Sequence, residues 1–356
     1  MSEVNFYSLD EQTKKLILEA FLGDNGECVS LTSGRWGEIY IFDQGESVTP
    51  RFVCAKIPKQ LANCSPEETF KRFVNELKKQ LTYDHMFVHW AFDFKEVMGV
   101  PVALFRYWGN DLDKLLKQGG VSQLQKLSIM VYICVGLRHC YKKGLIVHQD
   151  LKPSNIFLRN MTEEHRNLPN IDIYNFALIA DFGLANASSE LGIFDGNRPY
   201  MAPEQWSKTD LSSSTDIFAI GVILYELMTD GYHPVGIKLQ DFWPYQKNGN
   251  SKKWTREGAW QKWVSQGCKI DNSLSQLDSK VLTFIEKMIC VNPTSRPTID
   301  EVIAFLLELI KEKCETSYTQ IEFLINHYDS QVSNEFLDKR WPHLFEVWKQ
   351  FEAKFG

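Results

Sequence analysis

At 356 residues, with 44% hydrophobic and 24% charged side chains, the chain reads as a globular protein too long for one ordinary core, so two lobes are expected. A formal net charge of −6 supplies no basic face of the kind that nucleic-acid or membrane partners require. Eight cysteines stand singly, with no C-x-x-C pair and no histidine at zinc spacing, and Cys54, Cys134 and Cys290 lie in apolar runs; this excludes a zinc framework and points to reduced core thiols.

The chain opens on MSEVNFYSLDEQTKK, which lacks the apolar core of a signal peptide, and a cytoplasmic protein is expected. Residues 9–22 place Leu16, Ile17, Leu18, Phe21 and Leu22 at helical spacing within an N-terminal extension, 1–27. CVSLTSGRWGEIYIF and RFVCAKIP are β-rich and broken by glycines, which predicts two or three antiparallel strands. Ser65-Pro66-Glu67-Glu68 is a capping box opening a helix whose apolar stripe is Phe70, Phe73, Val74, Leu77 and Leu81. Glu76 falls at the edge of that stripe, about 60° from Phe73 at 100° per residue, and so can face the protein.

Two further strands are expected around 87–94 and 101–107. From about 111 the texture turns helical: DLDKLLKQ, then LQKLSIMVYICVGLRHCYKK closing on Gly144, then 214–228, 277–290 and 298–311. The apolar run IFAIGVILYELM is too short to span a bilayer and reads as a buried helix. Polar RNMTEEHRNLPNID (159–172) and a segment with four tryptophans (241–267) look inserted, and 312–356 forms a tail with two aromatic-rich amphipathic helices. A β-rich smaller part followed by a helical larger one makes the fold α+β.

Phosphoryl transfer from ATP needs a cradle for phosphates, a fixed cation, metal ligands and a carboxylate that orients the attacking hydroxyl. LTSGRWGEIYIF, VCAK, IVHQDLKPSN and LIADFGLA offer these in that chain order. With them the chain resembles the eukaryotic-type protein kinase family from about residue 28 to about 311. The resemblance implies a bilobal kinase fold with an N-lobe at 28–108 and a C-lobe at 109–311. It also implies an enzyme that uses ATP and Mg²⁺ to phosphorylate serine or threonine on a protein substrate.

Residue by residue, the resemblance makes Leu31, Thr32, Ser33, Gly34, Arg35, Trp36 and Gly37 the glycine-rich loop, with Thr32 in place of its first glycine and Ile39 roofing the adenine. Lys56 takes the phosphate-contacting role, paired by Glu76, with Cys54 beside the adenine and His85 following the helix. Phe105 is the gatekeeper, and Arg106, Tyr107 and Trp108 form the hinge. Asp150 is the proton acceptor, Lys152 neutralises the transferring phosphate, Asn155 and Asp181 are the metal ligands, and Phe157 floors the adenine pocket. His148 is expected to be structural. Lysine two residues after the aspartate is the serine/threonine pattern. Ala202-Pro203-Glu204, Asp216 bracing the catalytic loop, and Arg296 pairing with Glu204 complete the peptide-kinase platform and weigh against a small-molecule kinase.

Three positions depart from the family pattern. Thr32 is one; a second, Gln149, stands where regulated kinases carry an arginine that gathers the activation-loop phosphate. The third, Asn197, replaces a threonine, and its side chain can bridge Asp150 and Lys152 through donor and acceptor. A neutral glutamine in this non-RD, H-Q-D loop implies activity that does not depend on loop phosphorylation, whose candidate acceptors are Ser188, Ser189 and Tyr200. The alternative is a pseudokinase, a kinase-shaped binding or scaffold protein. The tryptophan-rich insert and the tail are expected to pack on the larger lobe, with docking or dimerisation as alternatives.

Overall fold

A computed structural model describes residues 5–22, 26–33, 37–60, 64–165, 167–242, 254, 256–271, 273, 277–330 and 342–356. The chain divides into two compact units, one of 1–84, 90–109 and 332–356, the other of 85–89 and 110–331.

The first unit is built on a five-stranded antiparallel sheet in the order β1-β2-β3-β5-β4. Its strands are β1 (Glu27–Ser33), β2 (Gly37–Asp43), β3 (Phe52–Pro58), β4 (Asp93–Val97) and β5 (Val100–Arg106). Alternation sends Val53, Ala55, Ile57, Val102 and Leu104 to one face, where they share a core with Phe6 and with Leu18 of helix α1 (Glu11–Leu22). Ala103 and Phe105 face the other way, toward helix α2 (Pro66–Thr82).

The capping box forms as expected: Glu68 N–H donates to Ser65 Oγ at 3.2 Å, and Ser65 N–H to Glu68 Oε2 at 3.0 Å. Phe73, Val74, Leu77 and Leu81 of α2 then enter a second core with Phe94 and with Leu344, Trp348, Phe351 and Phe355 of the terminal helix, Pro342–Phe355. Lys78–Glu352, at 2.7 Å, and Lys354–Glu96 flank that contact.

Two expectations need correction here. The strand expected around 87–94 begins only at Asp93, because the tight turn at Met98 and Gly99, both at positive φ, sets the hairpin register. Residues 85–89 pair elsewhere: His89 N–H donates to Ile179 O at 2.8 Å in the second unit. The tail, expected as one segment on the larger lobe, is divided; Glu315–Ser330 belongs to the second unit and Pro342–Phe355 to the first.

The second unit is mainly helical: α3 (Leu112–Gln118), α4 (Gln123–Lys142), α5 (Met161–Glu164), α6 (Ala187–Leu191), α7 (Pro203–Ser207), α8 (Ser213–Met228), α9 (Leu239–Phe242), α10 (Glu257–Ser265), α11 (Ser279–Met288), α12 (Ile299–Lys313) and α13 (Glu315–Ser330). Strands β6 (Ile156–Asn160) and β7 (Asn175–Ile179) pair antiparallel, and β8 (Tyr232–His233) with β9 (Ile237–Lys238). Helices α4 and α8 are buried on nearly every face, which is why their sequences are apolar with little periodicity. Gly221 of α8 is required by packing, since a Cβ there would lie 2.7 Å from Ile289 Cγ2.

Within the insert Trp254, Trp260 and Trp263 are buried, and the Trp260 and Trp263 rings meet His233 edge-on at 5.2 and 5.3 Å; Trp243 lies outside the described residues. All eight cysteines are free, Cys134 being buried as expected while Cys54 and Cys290 are only partly so. Among the described residues no helix is long and apolar enough to cross a membrane.

Candidate active site

In the first unit, strand alternation turns Lys56 away from the Phe6–Leu18 core, and the apolar stripe of α2 carries Glu76 inward with it. Lys56 Nζ lies 2.5 Å from Glu76 Oε1, with side chains 16% and 7% exposed. Removing one partner would leave the other charge largely desolvated, so the pair holds both rotamers. Gly37 serves this lysine directly: a Cβ there would stand 3.1 Å from Ile57 O and 3.2 Å from Lys56 Cε, so the glycine makes room for the lysine stem.

Leu31, Thr32 and Ser33 end β1, with Thr32 paired to Ile39 and Ile39 to Lys56 across the sheet. Gly34, Arg35 and Trp36 lie outside the described residues. Burial pushes the Cys54 thiol up to about 12, so it stays protonated and apolar. Phe105 packs among the α2 stripe, the Arg106 guanidinium lies 4.1 Å over the Trp108 ring, and Tyr107 N–H donates to Phe52 O at 3.0 Å.

In the second unit the stretch 148–155 is held by its backbone. Asp216, on α8, accepts from His148 N–H at 2.7 Å, Gln149 N–H at 3.0 Å and the Tyr141 hydroxyl at 2.8 Å. These bonds hold Gln149 at φ +74°, a conformation unusual for a side-chain-bearing residue. His148 is fully buried, with Nε2 3.2 Å from Ala180 O and its ring against Phe182, a structural role as expected.

Asp150 collects three donors. Lys152 Nζ reaches Oδ2 at 2.8 Å, Asn155 Nδ2 reaches Oδ2 at 3.3 Å and the Asp150 carbonyl at 2.9 Å, and Asn197 N–H reaches Oδ1 at 2.9 Å. Ala180 N–H donates to Asn155 O at 2.9 Å, which ties Asp181 to the same turn. Asp181 itself is left-handed at φ +63°. Phe157, on β6, presents its ring to His89 at 4.8 Å.

The expectation that the Asn197 side chain bridges Asp150 and Lys152 is corrected: its Oδ1 is buried without a hydrogen-bond partner, and the backbone N–H makes the contact instead. Arg296 meets Glu204 in a bidentate pair at 2.6 and 2.9 Å, as expected. Sequence reasoning missed two buried groups. Gln205, which directly follows Ala-Pro-Glu, donates to the Gln149 carbonyl at 3.0 Å, and no local pattern marks it.

The second is Glu226, where burial raises the carboxyl to about 8, the Tyr200 hydroxyl bond at 2.9 Å pulling down and Asp113 adding to the rise. Folding therefore keeps a proton that the unfolded chain, near 4.5, sheds, and this group's contribution to stability falls as pH rises between those values. Glu226→Gln preserves an acceptor for Tyr200 and removes the titration. Urea midpoints at about pH 5 and about pH 8 are expected to differ less in the variant than in the parent.

The family profile described as the protein kinase domain matches residues 29–305. A serine/threonine-protein kinase, pkn3, of Myxococcus xanthus is 30% identical over 177 residues, 46% of this chain and 30% of that protein. Serine/threonine-protein kinase PknH of Mycobacterium bovis is 32% identical over 144 residues, 38% of this chain and 22% of that protein. A calcium/calmodulin-dependent protein kinase type I of Schizosaccharomyces pombe is 28% identical over 193 residues, 52% of this chain and 54% of that protein. The matched stretches span well under two thirds of these relatives. The profile match covers most of the chain and takes in the Lys56–Glu76 pair, the Asp150 loop, the D-F-G strand end and the Glu204–Arg296 pair, and the chain therefore belongs to the protein kinase domain family.

Proposed function

We propose that the protein is an ATP- and Mg²⁺-dependent serine/threonine protein kinase whose activity does not require phosphorylation of its activation segment. The observation that carries the first part is the Asp150 cluster, in which Lys152 and Asn155 converge on one carboxylate. Asp150 orients the substrate hydroxyl and takes its proton as the bond to phosphorus forms. Lys152 neutralises the transferring phosphoryl group, and its place two residues after Asp150, like the similarity to serine/threonine-protein kinases, supports serine or threonine as the acceptor. Lys56, oriented by Glu76, takes nucleotide phosphates.

The residues fit the implied metal by their donor chemistry. Asn155 commits its amide nitrogen to Asp150, so its carboxamide oxygen is the atom left for a hard cation, and Asp181 adds a carboxylate next to Ala180, whose N–H donates to Asn155 O. Bound there, Mg²⁺ would neutralise phosphate charge. In this reading Leu31, Ile39, Cys54, Phe105, Arg106 and Trp108 border the nucleotide in the first unit. Domain limits of 28–108 and 109–311, with extensions on either side, accompany the reading. The free cysteines are consistent with a cytoplasmic setting.

Independence from loop phosphorylation rests on Gln149, which is neutral and buried where a phosphate-gathering arginine would need an anion. Ser188→Ala/Ser189→Ala is expected to keep phosphotransfer within about threefold of the parent. A folded but inactive double variant would end this part of the proposal. The terminal helix packs within its own unit, which supports an internal role for that part of the tail rather than dimerisation.

A further inference from the structure

We propose that Gln149 and Gln205 form a carboxamide clamp on the segment after D-F-G, and that this clamp aims Asp150 at the reacting hydroxyl. The proposal rests on the kinase reading above and deepens it.

Both side chains are almost fully buried, Gln149 at 4% and Gln205 at 3% exposure. Gln149 Oε1 accepts from Ser188 N–H at 3.2 Å, while its Nε2 donates to Ile193 O at 2.6 Å and Asp195 O at 3.0 Å. Gln205 Nε2 donates to the same Asp195 O at 3.2 Å and to Gln149 O at 3.0 Å, and its Oε1 accepts from Ala202 N–H at 2.9 Å. Two carboxamides thus converge on one carbonyl, and two residues later Asn197 N–H lands on Asp150 Oδ1. Gly196 shows how closely the segment is seated, since a Cβ there would stand 3.0 Å from both Gln149 O and Gln205 Nε2.

The chemistry requires a group that accepts and donates in one plane. A carboxamide does both; a guanidinium only donates and would turn a donor on Ser188 N–H, whereas a carboxylate would set negative charge against two carbonyl oxygens. Asp150 Oδ2 is already taken by Lys152 and Asn155, so the Asn197 N–H on Oδ1 decides the carboxylate's rotation. Gln149 and Gln205 touch no reacting atom and are positioning residues.

The test uses the full chain with Gln149→Met, Gln205→Met and the double variant, methionine matching glutamine in length without its hydrogen bonds. Each single variant is expected to lower kcat about 10- to 100-fold, with KM for ATP unchanged because the nucleotide contacts of the first unit are untouched. The double variant is expected to fall within about threefold of the weaker single one, since the two side chains serve one carbonyl. Amide exchange is expected to quicken over 193–197 while circular dichroism stays that of the parent.

A folded Gln149→Met protein with kcat within about twofold of the parent overturns the clamp, as do single effects that multiply fully in the double variant. Gln205→Met, which leaves the Gln149 bonds to Ser188 and Ile193 in place, decides the matter by the same kcat criterion if Gln149→Met does not fold. Outcomes for the two proposals separate cleanly. A parent that transfers no phosphate ends the kinase reading, and an active parent with unaffected variants ends only the clamp.

Discussion

Asp150→Asn is expected to lower phosphotransfer to a protein substrate by about 10²- to 10⁴-fold, the range associated with loss of a positioned general base. The substitution preserves size and leaves the Asp216 bonds to the loop backbone untouched. It also disturbs the donors around the carboxylate, because Lys152 and Asn155 approach Oδ2 while Asn197 N–H approaches Oδ1. A carboxamide can accept at only one of those two atoms, so either the lysine side or the loop side meets a second donor. The loss therefore combines missing basicity with misplacement. Incubation with labelled ATP and a generic protein substrate measures it. Equal labelling by parent and variant would refute the catalytic assignment. A parent that binds ATP without transferring label would favour the kinase-shaped binding protein instead.

Trp348→Ala is expected to cost the first unit about 3–5 kcal/mol, the usual range for deleting a buried aromatic side chain. Trp348 is 4% exposed and meets Phe94 at 4.8 Å and Phe351 at 5.8 Å, in the core that α2 also enters. A domain is typically stable by about 5–15 kcal/mol, so the loss is a large share of the total. Because Glu76 is carried by α2, a loosened α2 weakens the hold on Lys56, and KM for ATP is expected to rise along with faster proteolysis of 342–356. Lys349→Ala, on the exposed side of the same helix, is the matched control and is expected to move stability by less than about 0.5 kcal/mol. Equal denaturation midpoints for Trp348→Ala and Lys349→Ala would remove any structural role for the terminal helix.

The Glu76 position is legible in the sequence because two local rules coincide: a capping box sets the start of α2, and helical spacing then sets which side faces inward. The Asp150, Lys152 and Asn155 set was legible for a similar reason. Its members sit within six residues, and short offsets leave little freedom in how side chains meet. The strand near 87–94 was misread because Phe87 and Val88 are as apolar and β-prone as Phe94 and Val97. Only the turn at Met98–Gly99 and the pairing of His89 with Ile179 separate them.

By itself the sequence determined the order and chemical identity of the groups: a lysine, a paired glutamate, an aspartate with its lysine and asparagine, and a second aspartate after an apolar strand. These depend on residue type and near-neighbour spacing, which the chain carries locally. Only the tertiary structure decided what Gln149 is for. Its partners Ser188, Ile193 and Asp195 lie about forty residues away, and Gln205 further still. A side chain's hydrogen-bond partners across such separations are set by how helices and loops pack. The sequence could show that Gln149 lacks a charge, while packing showed that its two-way hydrogen bonding holds the loop.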